Sequence, residues 1–294
     1  MIKDFKKEEF LKKEKELYTY KGDDRVIHSN ELNEELKLVE DSIFNLKTHI
    51  PTMDRILDGV ECGELIVITG LSGQGKTSLM MTITQNMAEH GDKSIWFTLE
   101  VTPRQFIKKI SAKTSMLPEF YIPRENTDNT LLWIEERILE SQVKFNTKVV
   151  FIDHINAIFS LESSKGNISL EIGDMVAKIK QIAIKYNLVI FLVAHCKDPI
   201  DNKEPNERSI RDSGMIIRLA DTVLGIWRVK NGKESNRLEE IEEEDSWAKC
   251  RIWKNRRTGK VGRWYMEHKE HSLSEVTSNF EQLTKPIKNR KLYE

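Results

Sequence analysis

From residue 46 onward, short runs of apolar residues alternate with longer stretches of mixed polar and apolar character. Short apolar runs are typical of buried strands, whereas the longer stretches are typical of helices. The pattern predicts strands at 64–69, 94–98, 149–152 and 188–193. The intervening helices are predicted at 77–90, 103–114, 131–142 and 172–186. Because such helices are long enough for right-handed crossovers, we expect an α/β fold with a mostly parallel, twisted sheet flanked by helices.

The pattern changes in the last third of the chain. Short apolar runs at 222–229, 248–254 and 262–267 are joined by turns, one of them at 257–260. This arrangement predicts antiparallel hairpin strands on the C-terminal side of the sheet. We therefore expect residues 46–270 to form the main domain.

The segments on either side of this domain have a different composition. Residues 1–45 are rich in lysine and glutamate, with sparse apolar positions and a short helical stretch at 31–39. Two interpretations remain open: a solvated, partly disordered arm, or a linker helix whose thin apolar stripe docks on a neighbouring subunit. Residues 271–294 are expected to form a C-terminal tail.

Composition narrows the class of protein. The hydrophobic content of 39% suffices for a core, and 46 basic residues balance 47 acidic ones, so nucleic-acid contacts would have to come from local loops. The three cysteines lack the spacing of a zinc site and the even count of a disulfide framework, which indicates a reducing compartment. The charged N-terminus and the lack of a long apolar run predict a cytoplasmic protein without a membrane partner.

A glycine-rich segment follows the first predicted strand. Its sequence, GLSGQGKTS at 70–78, satisfies the pattern G-x-x-x-x-G-K-[ST]. Such a loop curls its backbone N–H groups around a phosphate, and the following helix N-terminus favours the anion. We expect Mg²⁺-ATP or another Mg²⁺-nucleoside triphosphate here, with Lys76 on the β and γ phosphate oxygens and Thr77 as a magnesium ligand. The predicted nucleotide-binding residues of the loop are Gly70, Ser72, Gly73, Gln74, Gly75, Lys76, Thr77 and Ser78.

Two acidic residues follow other predicted strands. Asp153 ends the apolar run KVVFID and is the expected second protein anchor for magnesium. Glu100 ends SIWFTLE, at the sheet edge where parallel strands present residues to a ligand, and could orient or deprotonate the attacking water. The alternatives are an aspartate that caps a turn and a glutamate in the first turn of a helix.

These motifs, in this order, resemble the hexameric replicative helicases of the DnaB type, especially the helicase half of phage primase-helicases and of mitochondrial Twinkle. The resemblance covers about residues 46–270 and implies a RecA-like P-loop NTPase core. It assigns the catalytic glutamate to Glu100 and the Walker B aspartate to Asp153. It also implies a γ-phosphate sensor at His195 in LVAH, although a histidine satisfied by backbone hydrogen bonds is the alternative.

The same resemblance covers the segment CRIWKNRRTGKVGRWYMEH. It is similar to the hairpin that projects an arginine finger into the neighbouring subunit's ATP site, which implies Arg256 as the finger and Lys254 as its companion. The second arginine, Arg257, leaves the register open by one residue. Arg228 and Tyr265 match positions that flank the nucleotide base, and ordinary strand-end residues are the alternative.

The loop at 197–209 matches the position of a DNA-binding loop in the phage enzymes. It carries Lys197, Lys203 and Arg208, and phosphate contacts require such cations. The loop also holds four acidic residues, so a solvated surface loop remains the alternative.

The resemblance implies an ATP-dependent translocase that threads single-stranded DNA through a hexameric ring during replication. About 45 residues precede the core, too few for a primase half or an N-terminal collar, so we expect a bare motor with a separate primase or polymerase. The likeness to phage enzymes makes a virus-encoded protein acting in the host cytoplasm plausible. One alternative is a RecA-like recombination mediator or regulatory ATPase that binds DNA or a protein without unwinding. Another is a non-catalytic protein that uses nucleotide only to assemble, which the complete set of catalytic residues argues against.

Overall fold

The computed structural model of the chain describes most of the residues beyond the first eleven. The described residues are 12–22, 24–38, 45–112, 117–126, 128, 130–155, 158, 168–196, 213–230, 233–234, 246–269 and 272–276. The chain divides into two units, Met1–Ile43 and Phe44–Glu294. The first unit contains helix α1, Ser29–Lys37, which buries none of its residues.

The second unit is built on a large sheet. A separate small pair is formed by β1 and β2, which are Asn45–Leu46 and Val60–Glu61. The strands of the large sheet are β3 Leu65–Gly70, β4 Ser94–Thr98, β5 Val149–Asp153, β6 Val189–His195, β7 Thr222–Lys230, β8 Lys233–Glu234, β9 Ser246–Asn255, β10 Gly262–Lys269 and β11 Ser272–Glu275. Their spatial order is β11-β10-β9-β7-β3-β6-β5-β4, and β8 pairs with β7.

The sheet has a parallel half and an antiparallel half. Strands β4, β5, β6, β3 and β7 run parallel to one another, whereas β9, β10 and β11 pair antiparallel from β7 outward. The predicted parallel core with C-terminal antiparallel strands is therefore confirmed. The turn between β9 and β10 falls at 256–261, where the sequence pattern predicted it.

Helices cover both faces of the parallel half. The described helices of this unit are α2 Pro51–Leu57, α3 Lys76–Glu89, α4 Pro103–Ser111, α5 Leu131–Phe145, α6 Ile168–Lys185 and α7 Ser213–Leu219. Because successive strand residues point to opposite faces, Ile66 and Ile68 of β3 join the core under α3, whereas Leu65 and Val67 join the core under α5 and α6. Both faces are thus apolar, which explains why the strand is a continuous apolar run instead of an alternating one.

Some elements have no counterpart in the predictions. Helix α2 is seven residues long, too short for a helical period to stand out. Its Asp54 carboxylate accepts hydrogen bonds from the backbone N–H groups of Thr48 and His49, which precede the helix, at 2.9 Å. Strand β11 lies inside the predicted tail at 271–294 and extends the sheet to residue 275. The sheet therefore reaches past the predicted end of the main domain at residue 270.

A buried carboxylate links the sheet to α6 and to the β9–β10 turn. Asp221 accepts hydrogen bonds from Lys180 Nζ at 2.5 Å, from the backbone N–H of Leu65 at 2.8 Å and from Arg256 Nη1 at 3.0 Å. Asp221 and Lys180 are both largely buried, so each needs the other's charge. This cluster fixes the point where β3 begins.

Asp221→Ala is expected to lower the free energy of unfolding by about 3–5 kcal/mol, because it leaves a buried ammonium group without its counter-charge. The matched control is Asp174→Ala, which removes an exposed pair with Lys178 at 2.9 Å on α6. That change should cost less than about 1 kcal/mol. Urea unfolding of both variants measures the difference, and equal losses would contradict a structural role for Asp221.

Candidate active site

The glycine-rich loop lies between the end of β3 and the start of α3. Strand β3 ends at Gly70 and α3 begins at Lys76. Gly73 and Gly75 adopt positive φ angles of 73° and 102°, a region that side chains other than glycine occupy only with strain. None of the described side chains caps the start of α3, and the first N–H groups of a helix lack partners within the helix. The loop therefore presents an anion site at a helix N-terminus.

Lys76 points back into this loop. Its ammonium group is largely buried and donates to the carbonyl oxygens of Gly70 at 2.8 Å and Leu71 at 2.7 Å. Burial lowers the pKa of Lys76, and the nearby Asp153 carboxylate opposes this shift. A phosphate next to this group would supply the counter-charge that the two carbonyls cannot.

Thr77 and Asp153 meet across the sheet edge. The Thr77 hydroxyl donates to Asp153 Oδ2 at 2.8 Å. Burial raises the pKa of Asp153, and the hydrogen bond from Thr77 opposes this shift. A hydroxyl and a carboxylate are oxygen donors of the kind that Mg²⁺ prefers, so the pair fits the predicted metal ligands.

One cavity of about 320 Å³ connects these residues. It opens at the carboxyl ends of β3, β4, β5 and β6, where ligands bind in open parallel sheets. From the loop it is lined by Ser72, Gly73, Gly75, Lys76, Thr77 and Ser78, and from other elements by Glu100, Asp153, His195 and Arg228 among others. Glu100 follows β4, and its side chain is 62% exposed at the rim.

Sequence reasoning missed His154, the residue directly after Asp153. Its Nδ1 lies 3.8 Å from Glu100 Oε2, and its ring meets the ring of His195 edge-on at 4.2 Å between centroids. His154 is buried, and its Nδ1 has no hydrogen-bond partner among the described residues. The available signal in the sequence was an ionisable side chain directly after a buried strand.

The two residues predicted to flank the nucleotide base are not brought together in this chain. Arg228 lines the cavity, and its backbone N–H donates to Gln74 Oε1 of the loop at 2.5 Å. Arg228 pairs with Ala248 of β9, whereas Tyr265 pairs with Lys249. Since neighbouring strand residues point to opposite faces, Arg228 and Tyr265 lie on opposite faces of the sheet. A sandwich of one base between these two side chains is therefore not formed here.

The two arginines that are candidates for the arginine finger have different surroundings in the structure. Arg257 donates to Glu64 Oε1 at 3.1 Å and to the carbonyls of Leu57 and Gly59 at 2.7 Å, and its side chain is 25% exposed. Arg256 is 50% exposed and contacts Asp221 and the carbonyl of Arg218. Arg257 is thus held inside its own subunit by several contacts, whereas Arg256 keeps half of its side chain in solvent.

Lys254 lies beside Arg256 and closes the end of α7. Its ammonium group donates to the carbonyls of Ile217 and Ala220, both at 2.6 Å. Helix C-termini leave such carbonyls without partners, and a lysine stabilises them. In this structure Lys254 therefore fixes α7 against the base of the β9–β10 turn.

The candidate DNA-binding residues Lys197, Lys203 and Arg208 lie outside the described residues. Within the described part of the chain, no helix combines the length and the apolar character needed to cross a bilayer.

The family model of the DnaB-like helicase C-terminal domain matches this sequence at residues 45–130 and 118–276. The chain belongs to this family. Replicative DNA helicase DnaB of Mycoplasma pneumoniae is 25% identical over 277 residues, which cover 82% of this chain and 58% of that protein. DNA repair protein RadA of Streptococcus pneumoniae is 28% identical over 210 residues, covering 68% and 45%. The chain thus spans about half the length of these curated relatives.

A solved structure agrees with this assignment at the level of the fold. The structure described as a DnaB-like replicative helicase and its interactions with primase superposes with a TM-score of 0.67 at 15% identity, covering 87% of this chain and 68% of that one. The predicted RecA-like architecture of the DnaB-type family is confirmed.

Proposed function

We propose that this chain hydrolyses ATP in the cavity at the glycine-rich loop 70–78, the P-loop. It uses the energy to move along single-stranded DNA as a replicative helicase motor. The observation that carries the proposal is the convergence of Lys76, the Thr77–Asp153 pair and Glu100 on one cavity at the carboxyl ends of parallel strands. Membership of the DnaB-like family supplies the expected substrates.

Each residue has a role that its surroundings support. Lys76 exchanges its two carbonyl acceptors for β and γ phosphate oxygens when nucleotide enters. Thr77 and Asp153 hold Mg²⁺, which neutralises phosphate charge when bound. Glu100, exposed at the rim, accepts the proton of the attacking water, and His195 at the end of β6 responds to the γ-phosphate.

The position of Arg256 argues that the ATP site is completed by a neighbouring subunit. Arg256 is tied to Asp221, which binds the backbone of Leu65 at the start of β3, whereas the P-loop follows Gly70 at the other end of that strand. Five residues of strand span about 16 Å. Arg256 therefore cannot serve its own P-loop, and a role on the γ-phosphate requires a second copy of the chain.

This geometry supports an oligomer, and the family suggests a hexameric ring with DNA in its channel and a separate primase or polymerase as partner. The runner-up is a RecA-like mediator or regulatory ATPase that does not unwind DNA, favoured by the similarity to the DNA repair protein RadA. Negative-stain images with an ATP analogue separate the two, because closed six-fold rings favour the motor and open filaments favour the mediator.

Single-stranded DNA is expected to stimulate ATP hydrolysis, and the stimulation should fade with salt because phosphate contacts release counterions. ATPase rates against DNA concentration at several salt concentrations measure both effects. The matched variant replaces Lys197, Lys203 and Arg208 by alanine. It should bind DNA more weakly and lower the salt slope by about 0.7 for each DNA phosphate that the removed cations had neutralised. Turnover that is indifferent to DNA at low salt would favour the regulatory ATPase.

A further inference from the structure

Three potential metal ligands come together beside the Thr77–Asp153 pair. Glu100 follows β4, His154 follows β5 and His195 ends β6. These strands are neighbours in the sheet, in the order β6-β5-β4. One ligand atom from each of the three side chains lies within 4.8 Å of the other two. The sheet order thus brings two imidazoles and one carboxylate to a common point.

The chemistry of this group differs from that of the magnesium pair. Imidazole nitrogen is a preferred ligand of Zn²⁺ and related transition-metal cations, whereas Mg²⁺ prefers oxygen. Two histidines and one carboxylate, with further positions left for water, is a ligand set used by zinc sites. The group therefore suits a second cation that is chemically distinct from the one held by Thr77 and Asp153.

His154 gives an independent reason to expect a ligand. Its side chain is 10% exposed, and its Nδ1 has no hydrogen-bond partner among the described residues. A buried polar atom without a partner is costly. A metal ion bound at this nitrogen would satisfy it.

Metal binding requires the three ligand atoms, which lie within 4.8 Å of one another, to move closer together. Zn–N bonds of about 2.0–2.1 Å in a tetrahedral site set ligand atoms about 3.3 Å apart. His154 Nδ1 and Glu100 Oε2 are already 3.8 Å apart, and the mostly exposed side chain of Glu100 has room to rotate. His154 would act as the fixed ligand and Glu100 as the one that moves.

We propose that Glu100, His154 and His195 form a binding site for a transition-metal cation of the Zn²⁺ class. The cation takes the carboxylate of Glu100 as a ligand and so withdraws it from water. If the ATPase function proposed above holds, a bound cation inhibits hydrolysis, because Glu100 and His195 line the cavity that takes the nucleotide. The binding site itself does not depend on that function.

Zn²⁺ binding to the full chain, measured by calorimetry without nucleotide or Mg²⁺, tests the site directly. We expect about one Zn²⁺ per chain, and an affinity at least tenfold lower in each of His154→Gln, His195→Gln and Glu100→Gln. X-ray absorption of the complex should show two imidazole ligands at about 2.0–2.1 Å. Thermal unfolding of each variant without metal checks that it still folds.

Two control variants test whether Zn²⁺ binds at the three proposed ligands and not elsewhere in the chain. His28→Gln removes a histidine of the first unit and Asp153→Asn removes the neighbouring magnesium ligand, and both should keep the Zn²⁺ stoichiometry. The proposal is overturned if Zn²⁺ binding persists unchanged in the three ligand variants, or if Asp153→Asn abolishes it. The latter result would assign the ion to the magnesium position.

Zn²⁺ titrated into a hydrolysis assay at saturating Mg²⁺-ATP tests the consequence. Wild-type turnover should fall as the site fills, and a chelator should restore it. If the Zn²⁺-free protein is inactive but binds Zn²⁺, the proposed ATPase function is wrong and the metal site is retained. If the protein is active but binds no Zn²⁺, the metal site is wrong and the ATPase function is retained.

Discussion

Lys76→Ala is expected to reduce ATP hydrolysis by at least about a hundredfold, because the ammonium group is the buried cation of the P-loop. Its present acceptors, the carbonyls of Gly70 and Leu71, belong to the loop itself, so the side chain contributes to ligand binding and not to the core. Steady-state phosphate release measures the loss. Circular dichroism and thermal unfolding should show that the fold is retained.

The control for this variant is Lys108→Ala, which removes an exposed lysine of α4 that does not line the cavity. Its turnover should match that of the unaltered chain. If Lys76→Ala also turned over ATP normally, the phosphate-binding role of the loop would be refuted.

The P-loop could be predicted because its chemistry lies in consecutive residues. Gly70 to Ser78 carry a spacing that needs no knowledge of the rest of the fold. Asp153 could also be predicted from the sequence, since a carboxylate at the end of a fully apolar run is unusual. The parallel strands were predictable for the same reason, because both of their faces are buried.

The contacts of His154 could not be predicted in this way. They depend on β5 lying between β4 and β6, which is a property of the sheet order and not of any local pattern. Glu100 and His195 are almost a hundred residues apart in the sequence, yet both lie beside the imidazole ring of His154. Residues that act through strand adjacency become visible only once the topology is known.

The opposite facing of Arg228 and Tyr265 escaped prediction for a related reason. Each was assigned from a match of position, and position along a strand does not reveal the register between strands. Arg228 lies opposite Ala248 and Tyr265 lies opposite Lys249, and these two residues are adjacent on β9. The side chains of Arg228 and Tyr265 therefore point to opposite faces of the sheet. The short elements α2 and α7 had no period long enough to detect.

Arg256→Ala is expected to retain nucleotide binding and to lower hydrolysis by about a thousandfold, the scale of an arginine finger acting on the γ-phosphate. Asp221 would keep the contacts from Lys180 and Leu65, so the variant should fold. Fluorescent-nucleotide binding and phosphate release measure the two effects. Arg257→Ala is the matched control, and we expect it to reduce stability more than turnover, because its side chain supports the carbonyls of Leu57 and Gly59.

Mixing two inactive variants tests whether Arg256 acts between subunits. Glu100→Gln removes the water-activating carboxylate from one side of the proposed interface, and Arg256→Ala removes the finger from the other. In mixed assemblies, some interfaces pair an intact Glu100 with an intact Arg256, and these should recover turnover that neither variant has alone. Arg256 is tied to the opposite end of β3 from its own P-loop, so recovery cannot arise within one chain. A mixture that exchanges subunits and stays inactive would mean that Arg256 is not the finger. Recovery on mixing Glu100→Gln with Arg257→Ala, each inactive alone, would transfer the role to Arg257.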